Sequence, residues 1–279
     1  MALGFTVEEL VPAGRGSGAL RMGVTRLAEA EWLWPLAEVD LAARRRAFAE
    51  NPDSIMVMPG AESAAAEAAR MVAGEATLGD AAARVWEDLC VMQADDADTL
   101  GAGPYRLTAA ALGFPTDWHL AEKLGQPLLA IHAPIHGYAE QLASGVDHFF
   151  ASLTPGPVFG RANWFIVAND NPRYLPSDDP ATRFAHVTAA NAGETLFIRC
   201  ERQTLRRLPE TRAVLFTIGI AVAPLGRLSD GAVARIAANV GGLADGNAGE
   251  FERRAAPHYT DAVAAYAAAR ATGKREVTA

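Results

Sequence analysis

The chain has 279 residues, 50% of them apolar and 21% charged, with a formal net charge of −8, which is ordinary globular usage with enough length to bury a sizeable core. That acidic balance argues against nucleic acid as a main partner, and the two cysteines, Cys90 and Cys200, are too few for a disulfide framework or an iron–sulfur cluster. No apolar run approaches the roughly 20 residues that span a bilayer, and the leading MALGFTVEELVPAGRGSG carries acids and glycines where a signal peptide has its apolar stretch, so a cytoplasmic protein without a membrane partner is expected.

In chain order, residues 1–20 read as a flexible lead, and the GRGSG at Gly14–Gly18 lacks the spacing and preceding strand of a phosphate loop. Leu36–Glu50 predicts a helix stopped by Asn51-Pro52, and Glu62–Ala73 an alanine-rich one. The period then changes. Val85–Gln93 (VWEDLCVMQ) and Tyr105–Phe114 (YRLTAAALGF) read as strands joined by the acidic, glycine-containing loop Ala94–Pro104, and Pro115 ends the second. Trp118–Leu124 predicts a helical turn and Tyr138–Leu153 a longer helix. Val158–Ala168, Thr195–Thr204 and Ala213–Val222 complete the strands, the last two separated by an LPET turn. After Pro224 the chain is alanine-rich and helical, with breaks expected at Gly241-Gly242 and Asp245–Asn247. About five strands at hairpin-like spacing, with helices between the second and third, predict an α+β domain on an antiparallel sheet. The expected organisation is a lead over 1–20, the domain over 21–226 and an alanine-rich C-terminal helical extension over 227–279.

The densest chemistry is CERQTLRRL, Cys200 to Leu208, which sets Glu201, Arg202, Gln203, Arg206 and Arg207 beside the apolar segment Thr195–Ile198. Such charge beside a buried strand is costly unless it is paired, solvated or binding something. On an extended strand Arg199, Glu201 and Gln203 share one face and could line a pocket; the plainer alternative is a solvated strand end with surface ion pairs. Among the six histidines, His132 and His136 lie in IHAPIHG at the spacing of a helical metal pair, but Pro134 between them argues against helix. A mononuclear zinc site is therefore not expected. His119 and His148 stand apart, and His186 and His258 have no other chemistry around them. A single imidazole in an apolar, aromatic surround suits an axial haem ligand; a hydrogen-bonded structural role is the alternative for any of them. No serine sits in a nucleophile elbow and neither cysteine pairs with a histidine.

Taken in order, MGVTRLAEAEWLWPL, RRRAFAENPDSIMVMPGAE, WEDLCVMQ, FPTDWHLAEKLGQPLLAIHAPIHGY, VDHFF, NWFI and ERQTLRRLP resemble the haem-dependent oxidative N-demethylase family, from about Met22 to Leu225. The resemblance implies a PAS-like α+β fold that binds haem b and uses dioxygen or a peroxide on a small, nitrogen-containing substrate. It also implies electrons from a separate flavin and iron–sulfur reductase, since this chain shows neither a cysteine cluster nor a dinucleotide motif. A haem-binding sensor or gas-responsive module is the alternative, although no output domain is visible beside it, and a haem-free scaffold that kept the fold is a third.

Residue by residue, the resemblance makes His132 the axial-ligand candidate, because IHAPIHG stands where the family has IHxPVP and His136 replaces its usual proline. Glu201, Arg202 and Gln203 match the family's ERQ and become candidates for the substrate or oxygen pocket. Arg206 and Arg207 are expected to pair with haem propionates, and Asn163-Trp164 match an NW read as structural. One departure stands out. The family's last strand usually runs isoleucine, a basic residue, threonine, tyrosine, whereas here it is Ile218, Gly219, Ile220, Ala221. Val214, Phe216, Ile218, Ile220 and Val222 form the core side of that strand, with Gly219 and Ala221 on the opposite face. If that opposite face is the pocket wall, the pocket is roomier and less polar than in relatives and takes a substrate larger than dimethylamine, aromatic or derived from an amino acid.

Overall fold

The computed structural model describes residues 3–11, 20–36, 39–94 and 104–277, with side chains to 272. Seven strands form one antiparallel sheet: β1 (Thr25–Leu27), β2 (Ile55–Val57), β3 (Asp88–Ala94), β4 (Tyr105–Ala111), β5 (Val158–Val167), β6 (Phe197–Arg207) and β7 (Val214–Pro224), in the order β1-β5-β6-β7-β3-β4-β2. Before β3 come helices α1 (Val7–Leu10), α2 (Leu41–Glu50), α3 (Glu62–Ala73) and α4 (Leu78–Ala82). Between β4 and β5 lie α5 (Leu120–Lys123), α6 (Leu128–Ile131), α7 (Tyr138–Gln141) and α8 (Ala143–Ser152); α9 (Pro180–Phe184) and α10 (Ala192–Thr195) lie between β5 and β6. After β7 come α11 (Asp230–Gly246), α12 (Ala248–Arg253) and α13 (Thr260–Val277). This is the α+β architecture expected, an antiparallel sheet with flanking helices consistent with a PAS-like arrangement.

Register decides which residues can meet. Glu201 of β6 stands opposite Ile220 of β7 and Asn163 of β5, and Gln203 stands opposite Ile218 and Arg161. Because the side-chain period is two, Arg199, Glu201, Gln203 and Arg207 share a face with Arg161, Asn163, Ile218 and Ile220. Arg202 pairs with Gly219 and Cys200 with Ala221, so these four point to the other face. Helices from the β4–β5 segment cover the first face, where Leu120, Leu128, Phe150 and Leu153 pack on Cys90, Met92, Leu205 and Val214. On the second face, alanines of α3 and α4 pack against Leu89, Val91 and Leu215, and Val233, Ile236 and Val263 of α11 and α13 pack against Ile198 and Cys200.

Several expectations are corrected. The lead is packed where it is described: Thr6 and Glu9 form a capping box at α1, and Val7, Leu10 and Val11 join the core. Residues 227–272 are no appended tail either, since Val233, Ile236 and Val263 are fully buried against the sheet. The helix α11 runs through Gly241-Gly242 and stops at Asn247, which caps α12. The single helix expected over Tyr138–Leu153 is interrupted at Leu142, and the first long helix starts at Leu41, capped by Asp40, rather than at Leu36. The strands β1 and β2 were not expected, three residues being too few for alternation to show. The GRGSG segment and residues 95–103 of the Ala94–Pro104 loop lie outside the described residues.

Candidate functional site

The arginines of β6 are largely consumed by the fold. Arg199 donates to Thr116 Oγ1 at 2.8 Å and to the carbonyls of Phe114 (2.9 Å), Pro172 (2.8 Å), Pro115 (3.1 Å) and Asn171 (3.2 Å); burial draws its pKa down to about 10. Arg202, on the opposite face from Glu201, donates to Trp32 O (2.9 Å), Gly4 O (3.1 Å) and Glu31 O and lies 4.2 Å over the Phe5 ring. It anchors the N-terminal segment on the face away from Glu201, so Arg202 does not share the expected pocket with Glu201 and Gln203.

Arg206 and Arg207 do not suit propionates as expected. Arg206 pairs with Glu29 at 2.5 Å and stacks 4.4 Å over Trp32, again on the face away from Glu201. Arg207 faces the right way but donates to Leu153 O (3.1 Å), Tyr105 Oη (2.9 Å) and the carbonyls of Phe150 and Arg212. It ties α8 to the sheet.

Gly219 and Ala221 are no roomy wall. A Cβ at Gly219 would come within 2.7 Å of the Trp34 ring and 3.6 Å of Glu87. The chain at Trp34 is held there because its backbone N–H donates to Glu87 Oε1 at 2.6 Å, and burial raises the Glu87 pKa. The indole occupies the space that a longer residue would need. A groove of about 520 Å³ opens next to it, between Leu33, Trp34, Leu41, Val72 and Val85, but none of the expected site residues lines it.

What remains on the Glu201 face is a set of polar groups without full partners. Glu201 is 7% exposed and accepts from Gln203 Nε2 at 2.9 Å, and among the described residues no cation comes within ion-pair distance of it. One rung along, Arg161 of β5 is half-buried and its buried Nε has no partner; desolvation draws its pKa down while Glu201 opposes that shift. Lys123, at the end of α5, lies 4.7 Å over the Trp118 ring, and burial lowers its pKa against the pull of Glu201. Tyr138, 4% exposed, has an unpartnered hydroxyl, and burial pushes its pKa up to about 12. Unpaired buried groups of this kind cost stability. Among the described residues Tyr138 Oη and Arg161 Nε are two of five such atoms, and a bound molecule on this face would satisfy them; the other three, Trp32 Nε1, Glu87 Oε2 and Arg206 Nε, lie on the opposite face.

His132 borders this set. It ends α6, its ring stacks on Tyr138 with centroids 4.4 Å apart, and Nδ1 lies 2.8 Å from Leu128 O. A carbonyl can only accept, so that contact assigns the proton to Nδ1 and leaves the Nε2 lone pair free. Burial lowers its pKa to about 4, with Lys123 and Arg161 contributing, and the ring is neutral at pH 7. Of the six histidines, His119, His136, His148, His186 and His258 are exposed and only His132 is half-buried. A neutral imidazole oriented by a carbonyl, with Lys123 and Arg161 near it, suits a haem with carboxylate side arms. Among the described residues no group of three or more His, Cys, Asp and Glu could hold a metal ion by itself, so a ligand set made of protein alone is not offered.

The structure thus brings Glu201, Gln203 and His132 to one side of the sheet and separates them from Arg202, Arg206, Gly219 and Ala221. Arg161, Lys123 and Tyr138 were missed from the sequence. Arg161 was the findable one, since it alternates with Asn163 on a strand whose partner carries Glu201 and Gln203; Lys123 and Tyr138 carry no local signal.

The profile of a family described as haem-dependent oxidative N-demethylase, alpha subunit-like, matches residues 73–263, more than half of the chain. The match spans β3 to β7, every group just described and α12. No curated protein matches the chain. No helix of the described residues is long and apolar enough to cross a membrane.

Proposed function

Because the chain belongs to the haem-dependent oxidative N-demethylase, alpha subunit-like family, we propose that it is an oxidoreductase that binds haem b through His132 and acts on a small nitrogen-containing substrate held against Glu201. The observation that carries this reading is the state of His132: neutral, with Nδ1 engaged by Leu128 O and its ring stacked on Tyr138. An imidazole that held a haem iron would need that tautomer, with Nε2 free to bind the metal.

Haem, when bound, supplies the dioxygen or peroxide chemistry that side chains cannot. The chain's own contributions are binding, charge and exclusion of water. Glu201 would hold a substrate ammonium, or pass a proton at its free carboxylate oxygen, while Gln203 keeps the other oxygen fixed at 2.9 Å. Lys123 offers a positive charge for a carboxylate side arm of the cofactor, and Ile218 and Ile220 keep the Glu201 surroundings apolar. Electrons would come from a separate flavin and iron–sulfur reductase, because Cys90 and Cys200 are buried on opposite faces and cannot share a cluster. The case for a large substrate no longer rests on Gly219 and Ala221.

The test is the absorption spectrum of the purified protein. A Soret band that His132→Ala abolishes or strongly weakens, with far-UV circular dichroism unchanged, is the expected result. An unchanged spectrum in that variant would remove His132 from the role.

A further inference from the structure

Arg161 and Glu201 occupy adjacent rungs of one face, Arg161 opposite Gln203 and Asn163 opposite Glu201. They sense each other electrostatically yet form no ion pair, and the guanidinium keeps an unpartnered, buried Nε. A half-buried cation with a buried, unpartnered Nε and a buried carboxylate held apart are each costly, and the arrangement becomes more favourable when something neutralises both. An anion alone would neutralise Arg161 but add a second negative charge beside Glu201. A plain ammonium would neutralise Glu201 and leave Arg161 as it is. A molecule carrying both charges a few ångströms apart satisfies the pair, and successive rungs on one face are about 6.6–6.8 Å apart, within reach of two side chains converging on a small zwitterion.

We propose that Arg161 is the carboxylate-binding residue of this site, so that the substrate class is an N-methylated amino acid, its ammonium on Glu201 and its carboxylate on Arg161. The inference rests on the haem-dependent reading for its reaction but on the sheet geometry for its substrate. The shared chemistry is a carboxylate, and a haem propionate is its other possible source. Lys123, on the helical side of the site, is the cation left for that group, whereas a propionate on Arg161 would face Glu201.

The test is isothermal titration calorimetry of the protein as purified, with N,N-dimethylglycine, dimethylamine and 3-methylbutanoate as probes, the last a carboxylate without nitrogen. N,N-dimethylglycine is expected to bind the wild type at least tenfold more tightly than either of the others. Arg161→Gln should remove about tenfold to a hundredfold of that affinity while leaving dimethylamine binding within a factor of about two, and Arg161→Lys should restore part of it. Haem content, read from the Soret band of each variant, separates the two carboxylate sources. If Arg161→Gln loses haem and the wild type shows no preference for N,N-dimethylglycine, Arg161 serves a propionate and the substrate assignment is overturned. Equal affinities for N,N-dimethylglycine and dimethylamine in the wild type overturn it without any variant, so a variant that fails to fold does not protect it. A colourless wild type that still prefers N,N-dimethylglycine would sink the haem reading and leave this one standing.

Discussion

Replacing Arg202 by methionine separates an anchoring role from a catalytic one. The guanidinium of Arg202 is 1% exposed with its residue and serves the carbonyls of Gly4, Trp32 and Glu31, with a longer contact of 3.5 Å to Leu3. A hydrogen bond from a charged donor contributes about 1.5–3 kcal/mol, so three good ones would total about 4.5–9 kcal/mol if they were independent. They are not, and burying the cation returns several kcal/mol of that gain. Methionine also keeps part of the apolar stem against Phe5. The expected net loss is about 3–5 kcal/mol, the usual range for removing one partner of a buried charged network. At roughly 2–4 °C per kcal/mol for a chain of this size, the melting temperature should fall by about 6–20 °C. The assay is thermal unfolding followed by circular dichroism, with Soret absorbance per folded molecule measured alongside. Destabilisation with an unchanged spectrum and unchanged turnover below the transition supports the anchoring role. A protein that melts as the wild type does but no longer turns over would refute it and return Arg202 to the site.

Glu201→Gln should lower turnover by about tenfold to a hundredfold through loss of a charge-assisted contact, with haem content and melting temperature near wild type; normal formaldehyde release from an N-methylated substrate would leave Glu201 a structural residue. Gly219→Ala should destabilise by about 1–3 kcal/mol through overpacking against Trp34 without altering ligand preference, whereas a neutral melting temperature with changed ligand binding would show that the wall is open after all. In haem-free protein, the folded state keeps His132 neutral down to about pH 4 while the unfolded chain takes up its proton below pH 6.5. The unfolded state then binds more protons within that window, so stability should fall as pH drops from 6.5 towards 4. A urea titration series of wild type against His132→Gln checks this, the variant having the flatter profile; identical slopes would refute it.

The long strands were legible because alternation and turn residues are local properties; between β4 and β5 the helical segments at α5 and over Tyr138–Leu153 were legible, but α6 and the break at Leu142 were not. The relation between strands was not. Period-two alternation shows that Arg199, Glu201 and Gln203 share a face, and that Gly219 and Ala221 share one, but it does not say whether those faces coincide. Pairing fixes that: Glu201 stands opposite Ile220, and a slip of one residue would have set it against Gly219 or Ala221 and made the expected pocket real. The fates of the arginines were hidden for a related reason. Their acceptors are mostly backbone carbonyls with no side-chain signature, as far away in sequence as Leu3 is from Arg202. His132 stood out by its segment, but its half-burial and its contact with Leu128 O belong to the folded state alone.

Charge density led to the right strand and, within it, to some of the wrong residues. In a buried strand a charge persists because something satisfies it, and the informative question is what does. For Arg199, Arg202 and Arg207 the answer is the protein itself, through carbonyls and hydroxyls of segments that these side chains hold in place. Such residues stabilise the frame, and nothing is left of them to recognise a ligand. For Glu201, Arg161 and Tyr138 the answer within the chain is incomplete, and all three lie on the face that His132 borders. Glu87 Oε2, Trp32 Nε1 and Arg206 Nε are also short of partners, on the opposite face, but only Glu201, Arg161 and Tyr138 lie beside an oriented imidazole, where a bound cofactor and substrate would complete them. The same criterion removes Gly219, whose neighbouring space Trp34 already fills, and adds Arg161, which the charge-rich segment of β6 had overshadowed.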